Sequence, residues 1–271
     1  MENVASQAFK AASRSLLIAY LLLLVALPIA TVYVKGFSLG WQPFWEEISG
    51  SVAWKSILLT IKLSVVSTLI QAVIGTIIAY VLVRYSFRGR TLLSSLVDLP
   101  FALPTSVAGL MFLTLLGPQS PIGDWLHRIG IELLYNQAAI VIGLTFVTFP
   151  FVVRTVQPLL EQLDASEEQA SYTLGAGRGF TFRHVVFPAI VPGILAGSML
   201  AFSRALAEFG AISLISGNLP GKTMVVSVFI YGETQNFRPE GAAALSAVLL
   251  TLSLAVLWTI NALTRRKGRL A

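Results

Sequence analysis

The chain has 271 residues, of which 55% are hydrophobic and only 12% charged, about half the charged share of an ordinary soluble domain. So little charge cannot cover a soluble surface, and the mean hydropathy of +0.78 argues against both a cytosolic enzyme and a nucleic-acid binder. The absence of cysteine rules out disulfides, thiol chemistry and cysteine metal cages, and two histidines, His127 and His184, are too few for a histidine-built metal site.

Six apolar stretches are long enough to cross a bilayer, which takes roughly 20 helical residues: 15–34, 56–83, 92–116, 137–156, 189–209 and 241–263. The first follows Lys10 and Arg14 and begins like a secretory signal, but its apolar core runs on through Pro28 to Val34 with no small-residue cleavage site. It reads as a retained helix. The pattern predicts an all-α polytopic membrane protein with six transmembrane helices. It is expected to form one transmembrane domain over 1–271, with its core at 56–263.

Between the first two stretches, Trp41, Trp45 and Trp54 suit an aromatic belt at headgroup level. Residues 85–90 make a short basic turn, and the third stretch carries Pro100 and Pro104 towards its start. Those prolines interrupt the backbone ladder, which a membrane helix tolerates where it is buried or lines a cavity. Pro100, Pro104, Thr105 and Ser106 are therefore candidates for a pore or gate, with a plain kink as the structural reading. Segments 117–136 and 210–240 are turn-rich and long enough to seat a soluble partner.

Charge bias orients the spans. Lys10, Arg14, Arg84, Arg88, Arg90, Arg154, Arg178, Arg183, Arg265, Arg266, Lys267 and Arg269 share one side, against Lys35, Lys55, Arg128, Lys222 and Arg238 on the other. The richer side is expected to be cytoplasmic and to hold both termini. The basic balance is then mostly a matter of topology and needs no nucleic-acid partner.

The connection between the fourth and fifth stretches, 154–188, is the long one, and long loops in compact proteins are usually functional. Within it Ser166 and Gln169 have capping-box spacing, and Glu167 and Glu168 fall in the first helical turn, where the dipole favours negative charge. Gly175 suits the helix end, and Gly177 and Gly179 are expected to let the chain reverse. A helix this short in water needs something to pack against. The membrane surface is one answer and a protein partner is the other.

The residues Glu168, Gln169, Ala170, Ser171, Leu174, Gly175 and Ala176, followed by 185–188 ending in Pro188, resemble the EAA loop of bacterial ABC-importer permeases. That loop reads Glu-Ala-Ala, three residues, Gly, nine residues, Ile-x-Leu-Pro. Gln169 stands where the family has Glu, with Glu168 beside it, and Ser171 replaces the second Ala. Segments 98–109, 150–158 and 204–210 are similar to sulfate/thiosulfate permeases of the CysT type. The resemblance implies a type I ABC-importer permease fold in the bacterial inner membrane, with residues 157–188, Glu167 among them, as the ATPase-coupling loop. It also implies a CysW-type sister permease, two copies of a cytoplasmic ATPase and an extracytoplasmic sulfate-binding protein. ATP and Mg would sit on the ATPase, with no cofactor on this chain.

Arg204 and Glu208 lie in the fifth stretch, and intramembrane charges are functional candidates by default. Two readings stand: a structural ion pair, or an arginine whose charge is partly neutralised so that a dianion passes without being trapped. Gly193 and Gly197, four apart, suit close helix packing. Residues 216–223 mimic a phosphate loop but lack its first glycine and a preceding strand, and read as a turn. No nucleophile or acid/base cluster appears, so no catalytic residue is assigned. A sulfate importer subunit is expected. A molybdate or tungstate importer permease and a stand-alone secondary anion transporter are the alternatives, the latter requiring inverted repeats and a mid-membrane carboxylate.

Overall fold

A backbone in lipid must pair its polar groups internally, and a helix does so within one segment. The computed structural model describes residues 2–267, with side chains at 10 and 12–259, and among the described residues the regular structure is all helical with no strand. Arg269 lies outside the described residues, as do the side chains of Arg265, Arg266 and Lys267. The chain divides into two compact units, one built from the chain up to Gly50 with Ile230–Leu250, the other from Ser51–Phe229 with the chain from Thr251 on.

The first unit opens with α1 (Glu2–Leu21), a π turn (Leu22–Ala26) and α2 (Leu27–Gly36), so the first apolar stretch is one helical run. The widened turn ends just before Pro28, which has no N–H and whose ring crowds the carbonyl four residues back. Helix α3 (Trp41–Ser49) occupies the segment expected to be a belt. Phe37 stacks on Phe44 at 4.0 Å, and Trp41 and Trp45 are exposed.

The second unit starts with α4 (Ser51–Arg84), then α5 (Arg90–Ala102) and α6 (Thr105–Leu116). Helices α5 and α6 meet at 112°. The break falls at Leu103, whose backbone is extended (φ −88°, ψ 134°) because Pro104 disfavours a helical residue before it. Pro100 does not break the chain: it is buried inside α5. After α7 (Pro121–Arg128) comes α8 (Gln137–Gln162), which carries Pro150 and Pro158 within it. Arg154 is therefore a helix residue rather than part of a loop.

The 154–188 connection is mostly helical: α9 (Ala165–Thr173), α10 (Arg178–Thr181), a second π turn (Phe182–Val186) and α11 (Phe187–Leu206). Residues Arg178–Leu206 form one helical run, and the π turn again ends just before a proline, Pro188. Short α12 (Gly210–Ile215), α13 (Val226–Gln235) and α14 (Pro239–Lys267) complete the chain. Among the described residues, five runs are long and apolar enough to cross a membrane (Ala12–Gly36, Ser51–Arg84, Gln137–Gln162, Arg178–Leu206, Pro239–Thr259), and the bent α5–α6 pair is the sixth stretch.

Inside the second unit α4 and α8 run parallel and α11 antiparallel to both. One apolar cluster gathers Leu63, Ile140, Leu144, Ala205 and Ile212. Another gathers Leu82, Val152, Val156, Leu160 and Ile190. Between them lies a polar layer, in which the Gln71 amide donates to Ser67 Oγ at 2.9 Å and to Thr148 Oγ1 at 2.5 Å. Ser67 Oγ also meets Thr145 Oγ1 at 3.1 Å. Where apolar burial gives helices no reason to associate, such hydrogen bonds and small-residue contacts hold them. A Cβ on Gly197 would lie 2.1 Å from Thr155 Oγ1 and 2.8 Å from Val152 Cα, and Thr155 donates to the Gly193 carbonyl at 2.9 Å. Gly193 and Gly197 are packing residues for α8 against α11.

Candidate coupling helix and anion path

Helix α9 starts two residues earlier than the capping-box spacing suggests. Asp164, not Ser166, is the N-cap: its Oδ1 accepts the Ser166 N–H at 2.9 Å. A carboxylate is the stronger acceptor for a free N-terminal donor, and that bond holds the Asp164 carboxyl below its ordinary range. Glu167 and Glu168 then occupy the first turn, as expected.

At the other end Gly175 has φ +83°. The Ala176 N–H bonds to the Ser171 carbonyl at 3.1 Å and the Gly175 N–H to the Tyr172 carbonyl at 3.0 Å, the paired bonds of a Schellman turn. Gly177 does not reverse the chain. It is extended (φ −78°, ψ 164°) and precedes α10, in which Gly179 lies.

The faces of α9 divide cleanly. Gln169, Ala170 and Glu167 are exposed, Leu174 is 88% exposed, and Tyr172 and Phe180 are exposed as well. The other face is tied down. Glu168 forms an ion pair with Arg84 at the end of α4, Oε1 to Nη2 at 2.6 Å, both side chains largely buried. Ser171 Oγ meets Thr181 Oγ1 at 2.9 Å across the turn. Ala176 is half-buried and Pro188 is exposed at the start of α11. Nothing local in the sequence pairs residues 84 and 168.

Arg154 has a similar hidden role. Its guanidinium grips Asp98 with both arms, Nε to Oδ1 at 2.7 Å and Nη2 to Oδ2 at 2.5 Å, and also reaches the Ser94 carbonyl at 2.9 Å. This fork clamps α5 to α8. Asp98 is paired in this way although its side chain stays half-exposed.

The second cluster forms where two helices break. Helix α11 ends at Leu206, so Arg204 lies in its last turn while Glu208 stands in the break, not on the same helix. The pair survives nonetheless, Arg204 Nη1 to Glu208 Oε2 at 2.8 Å, with the Glu208 side chain 1% exposed and Arg204 36% exposed. Glu208 has a reason to leave the helix: its Oε1 accepts the Ala211 N–H at 3.0 Å and so caps α12.

Close against this break lies the α5–α6 break. A Cβ on Gly210 would fall 2.3 Å from Thr105 Oγ1 and 2.9 Å from Ser106 N, and one on Gly109 would lie 2.8 Å from Ala211 Cα. Two chain breaks thus meet at the starts of α6 and α12. Pro104 and Ser106 are exposed there and Thr105 is half-buried, while Pro100 stays buried inside α5. Sequence reading also passed over Gln71, whose signal was an amide within an apolar run. Residues 216–223 form a turn with Gly217 and Gly221 at positive φ and no strand before it, as expected.

The model of the family described as binding-protein-dependent transport system inner membrane component matches residues 71–269. The sulfate transport system permease protein CysT of Escherichia coli (strain K12) is 41% identical over 250 residues, covering 92% of this chain and 90% of that one. The protein of the same name from Synechocystis is 39% identical over 254 residues, covering 94% and 89%. Among solved structures, a bacterial ABC transporter involved in import of the acidic polysaccharide alginate superposes with a TM-score of 0.81 at 18% identity, covering 98% of both chains. The inward-facing MetNI methionine ABC transporter gives 0.60 at 17% identity, covering 83% of this chain and 98% of that one. These two carry the fold, an ABC-importer permease of type I.

Proposed function

Because the chain belongs to the binding-protein-dependent transport permeases, and among them to the CysT sulfate permeases, we propose that it is the membrane subunit of an ATP-driven sulfate/thiosulfate importer. The identity of 41% across 92% of the chain with a sulfate permease is the observation that carries this reading. In it the chain forms half of the pore beside a CysW-type sister. Two cytoplasmic ATPases supply ATP and Mg chemistry, an extracytoplasmic sulfate-binding protein delivers the anion, and this chain binds no nucleotide itself. The charge bias supports placing both termini on the cytoplasmic face of the inner membrane.

Helix α9 supports the coupling role by its shape. It offers Gln169, Ala170 and Leu174 outward to a groove on the ATPase, the helix-in-groove mode, while Glu168 and Ser171 fasten it to the permease. A push on α9 passes through the Arg84 pair to α4. It also passes through the Schellman turn at Gly175 into the helical run Arg178–Leu206, a rod of about 44 Å whose last turn carries Arg204. There, Arg204 offers an oxyanion a guanidinium edge whose charge Glu208 half-neutralises, with the Thr105 and Ser106 hydroxyls near the same break. A conduit must bind weakly enough to release, and this pairing supplies that weakness.

Purification of the tagged chain from native membranes should bring down an ATPase and a second permease. Reconstituted with the binding protein, that complex should take up labelled sulfate in an ATP-dependent way, with unlabelled sulfate competing far better than molybdate. A chain that purifies alone, or whose uptake molybdate blocks preferentially, overturns the assignment.

A further inference from the structure

The turn between α13 and α14 repeats the hydrogen bonding that ends α9, with one conspicuous difference. The Phe237 N–H bonds to the Thr234 carbonyl at 3.2 Å and the Arg238 N–H to the Glu233 carbonyl at 2.9 Å, again the paired bonds of a Schellman turn. In α9 the left-handed residue of this turn is a glycine. Here it is Phe237, at φ +56°. A bulky side chain in that region is a strained outlier, and glycine or asparagine would form the same turn without the strain. Nor does the ring recover the cost by burial, since Phe237 is 93% exposed. Strain that brings no packing is a reason to look for function.

The residues that follow this ring are fastened by ion pairs. Arg238, next in the chain, is pinned from two sides, Nη2 to Glu47 Oε1 at 2.5 Å and Nη1 to Glu233 Oε2 at 3.1 Å. Glu240 pairs with Lys35 at 2.7 Å. Phe237 therefore sits in a charged turn just ahead of Pro239–Thr259, the run long and apolar enough to cross a membrane. Residues 35–50 and 230–240 carry Glu46, Glu47, Glu233 and Glu240 against Lys35 and Arg238, an acidic collar around a bare aromatic.

We infer that Phe237 is the anchor by which this permease docks a soluble substrate-binding protein, the ring entering an apolar pocket rimmed by basic side chains on that partner. The inference rests on the importer reading above, which places this turn on the extracytoplasmic face. A rigid exposed aromatic loses little entropy on docking and buries a large area, as interface anchors do. The acidic collar would steer a basic rim towards it, an effect that salt screens.

The test uses the assembled transporter in nanodiscs and its purified sulfate-binding protein. Phe237→Asn and Phe237→Gly relieve the backbone strain, so both should fold with an unchanged or raised Tm, yet bind that protein at least about tenfold more weakly. Phe237→Trp should bind normally, and the native affinity should fall with added salt. Native affinity in Phe237→Asn and Phe237→Gly overturns the inference while leaving the importer reading intact, provided the unaltered transporter binds and its ATPase is stimulated. An unaltered transporter that captures no binding protein overturns both.

The chain has no cysteine, so Phe237→Cys places a single thiol in it for an environment-sensitive dye. A blue shift on adding the binding protein supports the inference. A blue shift in anionic-lipid nanodiscs before any protein is added would make the residue a membrane anchor and overturn it.

Discussion

Arg204 and Glu208 show how a single residue changes meaning between sequence and structure. Four positions apart, they look like neighbours on one helix face; in the fold they are neighbours because the helix ends between them and Glu208 turns to cap α12. A charge-assisted hydrogen bond is worth about 1.5–3 kcal/mol, so Arg204→Ala should slow sulfate uptake by roughly tenfold or more while the complex still assembles. Glu208→Gln keeps a carbonyl oxygen for the Ala211 N–H but frees the charge of Arg204, and should hold sulfate more tightly while passing it more slowly. Normal uptake in both variants would return the pair to a purely structural role. Asp164 adds a dependence on pH. Its folded carboxyl lies below the unfolded value, so its contribution to the α9 cap is complete above about pH 4 and is lost as pH falls through the folded value. Hydrogen-exchange protection of the α9 amides, taken relative to the intrinsic rate, should hold to about pH 4 and fall below it, and Asp164→Ala should remove that acid step.

Helix α9 makes the same point for an element. No residue of it is buried, so propensity alone would leave it frayed; the Arg84 pair, the Asp164 cap and the Gly175 turn hold it in place of a core. Space around Gly175 is open, and the cost of replacing it is therefore a backbone cost. Gly175→Ala should destabilise the turn by about 1–2 kcal/mol and partly uncouple ATP hydrolysis from transport. Gly175→Asn, which tolerates the left-handed region, should stay coupled. If Asn uncouples as thoroughly as Ala, the demand for glycine comes from the partner's groove instead. The two π turns are also element-scale consequences: each ends two residues before a proline, where the widened turn absorbs the missing donor and the crowded carbonyl.

For the whole molecule, orientation is the property that joins coupling to transport. The proposed arrangement puts Leu174 on one side of the membrane and Leu219 on the other, and the lack of cysteine makes single-thiol mapping direct. In intact cells an impermeant maleimide should reach Leu219→Cys but not Leu174→Cys, and in inside-out vesicles the reverse should hold. Labelling of both from one side would overturn the topology and, with it, the docking of α9 on a cytoplasmic ATPase.

Much of this architecture is local information, and the amino-acid order carries it. The length of apolar runs declares membrane spans, Pro104 marks the break because it constrains Leu103 before it, and Gly175 with Pro188 marks the segment built to move. These rest on hydropathy, proline geometry and turn chemistry, which act over a few residues. What no local rule supplies is partnership across the chain. Arg84 finds Glu168, Arg154 finds Asp98, Gln71 finds Thr148, and Gly210 lies against Thr105, because parallel α4 and α8, antiparallel α11 and the two broken helices bring them within a few ångströms. The same holds for Phe237. Its sequence neighbours suggest an ordinary turn, and only the backbone angle and the exposed ring reveal a strained, uncovered aromatic.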